Sequence, residues 1–269
     1  MRSLYFRRVI LYSLYLICVV RVDAQSQPTN NKEFTLVTWN IGHFSKGHND
    51  YSQIKDTDYK EKVKKYRKFL YNSLKPDVLC VNEYESEFCQ DSILGCAIAE
   101  DVLFDKFKIQ RILKKNRFIC NAIFSNIILK NIRKKNYMYD PAIKNTIKRI
   151  DWYYYISSDI IIGGETVKLV CTHLVNRHEE VCQSQISQLI EEFKEFDKVI
   201  ICGDMNTSDW SKFKDAGYRF ANDGSLITFP GRSLSIDNII VRGLGISDVR
   251  VLRTDLSDHY PVLCRIVCQ

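Results

Sequence analysis

Apolar and polar positions alternate with a period of two over residues 34–41 (FTLVTWNI), which predicts a strand. Short apolar runs at 77–81 and 198–202 (KVIIC) predict buried strands. Two segments switch to a helical period. Residues 58–74 set Val63, Tyr66, Phe69, Leu70 and Leu74 on one face before Pro76, and residues 179–195 do the same with Cys182, Ile186, Leu189, Ile190 and Phe193. The stretch from 82 to about 104 reads as irregular or helical, and 106–132 as two or three strands with basic turns. Strands at 150–162 and 166–173 flank a Gly163-Gly164 hairpin turn, and the aromatic run 152–155 fits alternation within the first of them. Strands near 236–242, 247–253 and 260–267 close the chain, so the pattern is that of one α/β domain built on packed sheets.

The N-terminus follows different rules. Arg2, Arg7 and Arg8 precede an apolar stretch at 9–20, and Val22-Asp23-Ala24 has the form of a cleavage site. The stretch is shorter than the roughly 20 residues of a membrane span. Residues 1–24 are therefore expected to be a signal peptide of bacterial type, 25–33 a short polar linker, and 34–269 the functional domain of an exported, periplasmic or secreted protein. Losing the signal removes four Arg and one Asp, which lowers the net charge from +7 to +4. With 45% apolar and 26% charged residues the composition is globular, which excludes a disordered or fibrous chain.

Residues 106–149 hold 13 Lys or Arg against one acid, Asp140; this reads equally well as a phosphate-attracting surface or a solvated face. Cys80, Cys120, Cys171 and Cys202 sit in apolar runs, as packed thiols do, while Cys89 with Cys96, or Cys264 with Cys268, are candidates for pairing. With no C-x-x-C spacing anywhere, a structural zinc site is not expected.

The chemistry lies where strands end. Apolar runs stop abruptly in Asn40, Asn82-Glu83, His173, Asp204-Met205-Asn206, Asp237-Asn238 and Asp258-His259. One such end is an ordinary turn residue; six from separate strands converge on one pocket if the sheet brings their ends together. Glu83, Asp204 and Asp258 are hard oxygen donors suited to Mg²⁺, Mn²⁺ or Ca²⁺. His173 and His259 exchange protons near neutral pH. Glu85 and Glu87 compete with Glu83, but Glu83 alone ends the apolar strand. No Cys or Ser is placed as a nucleophile, which leaves water, and the set supports metal-assisted hydrolysis.

The ordered set TWN at 38–40, PDVLCVNE at 76–83, NAIFS at 121–125, THL at 172–174, GDMN at 203–206, SIDNIIV at 235–241 and SDHYPV at 257–262 resembles the endonuclease/exonuclease/phosphatase superfamily, and the match spans residues 36–263. The resemblance implies a four-layer α/β sandwich, two packed, mostly antiparallel β-sheets flanked by helices. By position, it makes Glu83 the main metal ligand with Asn40 and Asp258. Asp204 and Asn206 then position the water and the scissile phosphate, His259 is the general base oriented by Asp237, and His173 binds a phosphate oxygen or protonates the leaving group. Asn40, Asn121 and Arg149 fall among the phosphate-binding positions. Asn82 stands where the family commonly has glutamine, and the family's phosphate-site tyrosine has only Tyr137 and Tyr139 as candidates.

The implied activity is Mg²⁺-dependent hydrolysis of a phosphate ester, with Mn²⁺ or Ca²⁺ as substitutes. The basic segment favours nucleic acid as substrate. The alternatives are a sphingomyelinase-like lipid, an inositol phosphate or another soluble phosphate ester, or a binding module without turnover; no protein partner is expected.

Overall fold

The computed structural model describes residues 32–42, 56–85, 97–103, 119–147 and 150–268. Among these, twelve strands form two six-stranded sheets. The first sheet contains β1 (Glu33–Asn40), β2 (Val78–Glu85), β3 (Ala97–Leu103), β4 (Ile119–Ser125), β11 (Gly245–Val251) and β12 (Val262–Val267), in the order β11-β12-β1-β2-β4-β3. The second contains β5 (Lys130–Asn136), β6 (Tyr154–Ile162), β7 (Glu165–His173), β8 (Val199–Asp204), β9 (Arg219–Phe220) and β10 (Asp237–Arg242), in the order β5-β6-β7-β8-β10-β9. Pairing is antiparallel except for β1 with β2 and β7 with β8.

Period-two alternation divides the core into three. Leu36, Val78, Cys80, Ile123 and Cys264 of the first sheet meet Ile156, Leu169, Cys171, Cys202 and Ile239 of the second, forming the inner layer. Their neighbours Val37, Trp39, Leu79, Val81 and Phe124 point outward and pack with Tyr66, Leu70 and Leu74. These come from α1 (Asp56–Phe69) and the π-helical turn Leu70–Leu74, which stops at Lys75 in the left-handed conformation just before Pro76. On the far side, α3 (Glu179–Glu192) lays Val181, Cys182, Ile186 and Leu189 over Val170, Val199, Ile201 and Ile240. The result is the expected four-layer sandwich.

Local readings differ in three places. Residues 97–103 form β3, pairing in register with β4 from Ala97 opposite Ser125 to Leu103 opposite Ile119, instead of a helical or irregular stretch. A short α2 (Pro141–Thr146) and α4 (Ser211–Asp215) join the predicted helices; α2 starts where the Asp140 side chain accepts from the Ala142 N–H and Pro141 needs no partner. Cys264 and Cys268 are free, buried thiols, as are Cys80, Cys171, Cys182 and Cys202; Cys89 and Cys96 lie outside the described residues.

The basic segment is described in part. Edge strand β5 is exposed along its whole length and carries Lys130, Arg133, Lys134 and Lys135, a charged edge that discourages pairing with another chain. Lys134 lies over the Tyr154 ring and Lys135 pairs with Glu192.

Candidate active site

The two parallel pairs determine where the polar strand ends go. In β1–β2, Asn40 stands beside Asn82 in register; in β7–β8, His173 stands beside Asp204; antiparallel β10 starts with Asp237 opposite Asp204. The C-terminal ends of four strands and the N-terminal end of a fifth thus share one rim.

Strict backbone requirements hold that rim together. Gly203 has φ of +140°, and a Cβ there would lie 1.8 Å from the Thr172 carbonyl oxygen, so the glycine of GDMN lets β8 run against β7. Glu83 occupies the left-handed region with φ of +54°, inside a break of the β2–β4 register between Val81 and Tyr84. A glutamate in this conformation carries a backbone cost of about 1–2 kcal/mol, and the bulge re-aims its side chain at the end of β2.

Asp204 is the centre of the cluster. Its Oδ1 accepts from the Asn206 N–H (2.9 Å) and its Oδ2 from Asn40 Nδ2 (3.0 Å). The same Oδ2 lies 3.4 Å from His173 Nε2 and 3.8 Å from His259 Nε2. Asn40 also donates to Glu83 Oε1 (3.3 Å), so one amide bridges two carboxylates. Asn206, at φ of +51°, fixes its own amide on the Leu174 carbonyl (2.8 Å). Asp258 is exposed; a Cβ on Gly42 would lie 2.9 Å from its Oδ1, which places that carboxylate directly over the turn after β1.

His259 is held on all sides. Its Nδ1 bonds Asp237 Oδ2 at 2.8 Å, its carbonyl accepts from Trp39 Nε1 (3.0 Å), and its ring lies 4.7 Å from that of Phe229. Ser257 Oγ donates to the Asn40 carbonyl (2.7 Å) and accepts from the His259 N–H (3.2 Å). Burial disfavours the charged imidazole, but the carboxylates of Asp237 and Asp204 outweigh it and push the pKa up to about 10.

Asp204, Asp237 and His259 each offer a ligand atom within 4.8 Å of the others. A cation held by all three would have to compete with the Asp237–His259 hydrogen bond. Glu83 and Asp204 are joined through Asn40 Nδ2, while Asn40 Oδ1 accepts from the Gly42 N–H (3.0 Å).

Solved structures support the fold reading. An endonuclease/exonuclease/phosphatase from Bacteroides vulgatus matches with a TM-score of 0.67 and 15% identity, over 88% of this chain and 99% of that one. This chain has the endonuclease/exonuclease/phosphatase fold. The human Nocturnin catalytic domain with bound sulfate shares that fold at a TM-score of 0.65 and 16% identity, over 89% of this chain and 96% of its own. So does D. rerio TDP2 complexed with a single-strand DNA product, at 0.62 and 12%, over 87% and 98%. The sequence matches no protein-family model and no curated protein.

On this endonuclease/exonuclease/phosphatase framework, Asn40, Glu83, His173, Asp204, Asn206, Asp237, Asp258 and His259 all lie at one rim. Asn121 corrects the expectation of a phosphate contact. It is buried, its Oδ1 accepts from Asn82 Nδ2 (2.9 Å) and its Nδ2 donates to the Tyr154 carbonyl (3.1 Å), so its amide is spent on the protein. Asn82 is the strut it supports: Asn82 Oδ1 accepts from the Asp204 N–H (2.8 Å) while Nδ2 also donates to the Thr172 carbonyl (2.9 Å). Arg149 lies outside the described residues.

The tyrosine candidates turn inward. Tyr137 hydrogen-bonds Thr172 Oγ1 (2.6 Å), and Tyr139 accepts from Gln185 Nε2 (2.7 Å). Tyr153, which sequence reasoning placed in a strand, instead precedes β6 and sets its ring edge-on to His173 at 6.0 Å. Burial raises its hydroxyl pKa, and the nearby Glu83 and Asp204 carboxylates raise it further. The signal available in the sequence was its position just ahead of the strand that pairs with β7.

Proposed function

We propose that this protein is a divalent-metal-dependent phosphodiesterase that uses water as nucleophile, with nucleic acid as its favoured substrate. The observation that carries this reading is the meeting, at Asp204 Oδ2, of an amide and two imidazoles from three different parts of the chain, with Glu83 bridged to the same point through Asn40. Surplus carboxylate charge beside two imidazoles is suited to binding a cation and moving protons. The fold relatives include a TDP2 bound to a single-strand DNA product, which supports the nucleic-acid reading.

Glu83, Asn40 and Asp258 would hold the metal, Mg²⁺ being the default and Mn²⁺ or Ca²⁺ the alternatives. A cation held there would supply neutralising charge at the phosphoryl oxygens and lower the pKa of nearby water. Asp204 and Asn206 orient the attacking water in line with the leaving oxygen. His259 Nε2 takes the water's proton once the charge of its carboxylate neighbours is compensated, and Asp237 fixes the tautomer by holding Nδ1. His173, across Asp204, supports the leaving oxygen.

Residues 1–24 act as an export signal in this account, so the enzyme works outside the cytoplasm on extracellular or periplasmic phosphodiesters. No helix among the described residues is long and apolar enough to cross a membrane. Supercoiled plasmid incubated with the protein and Mg²⁺ should be nicked, and EDTA or His259→Ala should stop it. A folded protein that leaves the plasmid intact while cleaving sphingomyelin or an inositol phosphate would shift the substrate assignment to that class.

A further inference from the structure

His173 closes β7, so the turn that follows it decides where its imidazole sits. The ring's Nε2 lies 3.4 Å from Asp204 Oδ2, and Tyr153 stands edge-on to it at 6.0 Å. Beyond His173 the chain passes through residues 174–176, takes the left-handed conformation at Arg177 with φ of +65°, and enters α3 at Glu179.

Side chains from three other parts of the chain tether successive residues of this turn. Asn206 Nδ2 donates to the Leu174 carbonyl (2.8 Å), Gln185 Oε1 accepts from the Val175 N–H (2.8 Å), and the Tyr153 hydroxyl bonds the Asn176 backbone. Gln185 is the unexpected member. It lies on the apolar face of α3 among Val181, Cys182, Ile186 and Leu189, and it is fully buried. A methionine or leucine would fill that position without the desolvation cost of an amide. Both ends of the amide are instead bonded. The Val175 N–H can only donate, which fixes Oε1 toward the turn, and Nε2 donates to the Tyr139 hydroxyl at 2.7 Å. Buried polar bonds of this kind add little net stability over apolar packing, but they specify one geometry.

We propose that Gln185 is a positioning residue for His173. Its amide holds the chain two residues beyond the imidazole, which keeps Nε2 beside Asp204 Oδ2 and within reach of the leaving oxygen. The reaction so served rests on the phosphodiesterase reading; the placement of the ring does not.

The test compares Gln185→Met, which keeps length and volume but neither hydrogen bond, with Gln185→Glu, whose carboxyl can accept from the Val175 N–H and still bond Tyr139. The full chain and its variants are assayed with Mg²⁺ on two esters. Thymidylyl-thymidine has an alkoxide leaving group that requires a proton, whereas thymidine 5′-p-nitrophenyl phosphate releases a phenolate that does not. Gln185→Met should lower kcat on the first roughly ten- to hundredfold with KM unchanged, and alter the second little. Added to His173→Gln it should cost nothing further, because both act on one step, and Gln185→Glu should restore the parent's rate. Tyr139→Phe, which releases only Nε2, should show the same pattern more weakly and serves if Gln185→Met fails to fold. An equal loss on both esters, a full additional loss in His173→Gln, or no loss in any variant overturns the proposal. In EDTA, without turnover, the His173 ring-proton NMR signal, identified by its absence from His173→Gln, should move in Gln185→Met while that of His259 stays. An unmoved His173 signal also overturns the proposal. A parent that hydrolyses neither ester removes the phosphodiesterase reading and leaves the NMR comparison to decide the role of Gln185.

Discussion

Replacing Asn82 with alanine should damage the protein more than loss of a single surface amide would. Asn82 is fully buried between the sheets, and its amide meets the Asp204 N–H at 2.8 Å, Asn121 Oδ1 at 2.9 Å and the Thr172 carbonyl at 2.9 Å. Alanine leaves each of these three partners buried without its hydrogen bond, at roughly 1–3 kcal/mol apiece. Some relief comes from water entering the space, so the net cost expected is about 3–5 kcal/mol. For a domain of this size that corresponds to a fall in Tm of roughly 10 °C. Asn82→Asp refines the test. Its carboxylate still accepts from the Asp204 N–H but faces two oxygen acceptors, Asn121 Oδ1 and the Thr172 carbonyl, so the folded protein favours the protonated acid. A folded-state pKa above the unfolded value of about 3.9 means that stability is lost as pH rises beyond that value. The Asn82→Asp variant should therefore lie closest to the parent at about pH 4 and below and fall away progressively toward pH 8, as measured by urea unfolding at each pH. An alanine variant costing less than about 1 kcal/mol, or an aspartate variant with the parent's pH profile, would refute the assignment of Asn82 as the strut between the sheets.

Three further outcomes follow from the site. Gly203→Ala must push β8 off the Thr172 carbonyl, which an alanine Cβ would approach to 1.8 Å; little or no soluble folded protein should be recovered, judged by circular dichroism. His259 has its folded pKa raised from 6.5 to about 10, so in EDTA its contribution to stability is complete below the lower value and disappears as pH rises through the upper one; Tm should decline over that interval more steeply in the parent than in His259→Gln. Millimolar Mg²⁺ or Mn²⁺ should raise the Tm of the parent, because ligand binding stabilises the folded state, and Glu83→Gln should abolish most of that rise; an equal rise in both would remove Glu83 from the metal site.

The sequence disclosed those parts of the fold in which local pattern and tertiary role agree. Alternation in 34–41 and the apolar run at 198–202 gave β1 and β8, each packed with one face against the other sheet and the other face under a helix. Strand β3 was not legible: AIAEDVL has no clean period, and pairing with β4 decides its conformation. Asn40, Glu83, His173 and Asp204 were readable because each closes an apolar run, and the parallel pairs bring those ends together; Asp237 instead opens β10, and Asp258 and His259 lie in the loop before β12. Asn82 and Asn121 were harder. Whether an asparagine reaches substrate or bridges two sheets depends on the distance between those sheets, which no local pattern records. Tyr153 was concealed by its neighbours, since a run of four aromatics reads as strand even where its second member precedes one and points at His173.

The central claim is that Glu83, Asp204 and His259 act together in cleaving a phosphodiester. Its most direct test is Mg²⁺-dependent nicking of supercoiled plasmid by the purified protein, run beside Glu83→Gln, Asp204→Asn and His259→Ala variants shown by circular dichroism to be folded. The account predicts nicking by the parent that EDTA abolishes, and at least a hundredfold loss in every variant, on the order expected for removing a general base or an electrostatic stabiliser. Nicking that survives in folded His259→Ala at the parent's rate would contradict it.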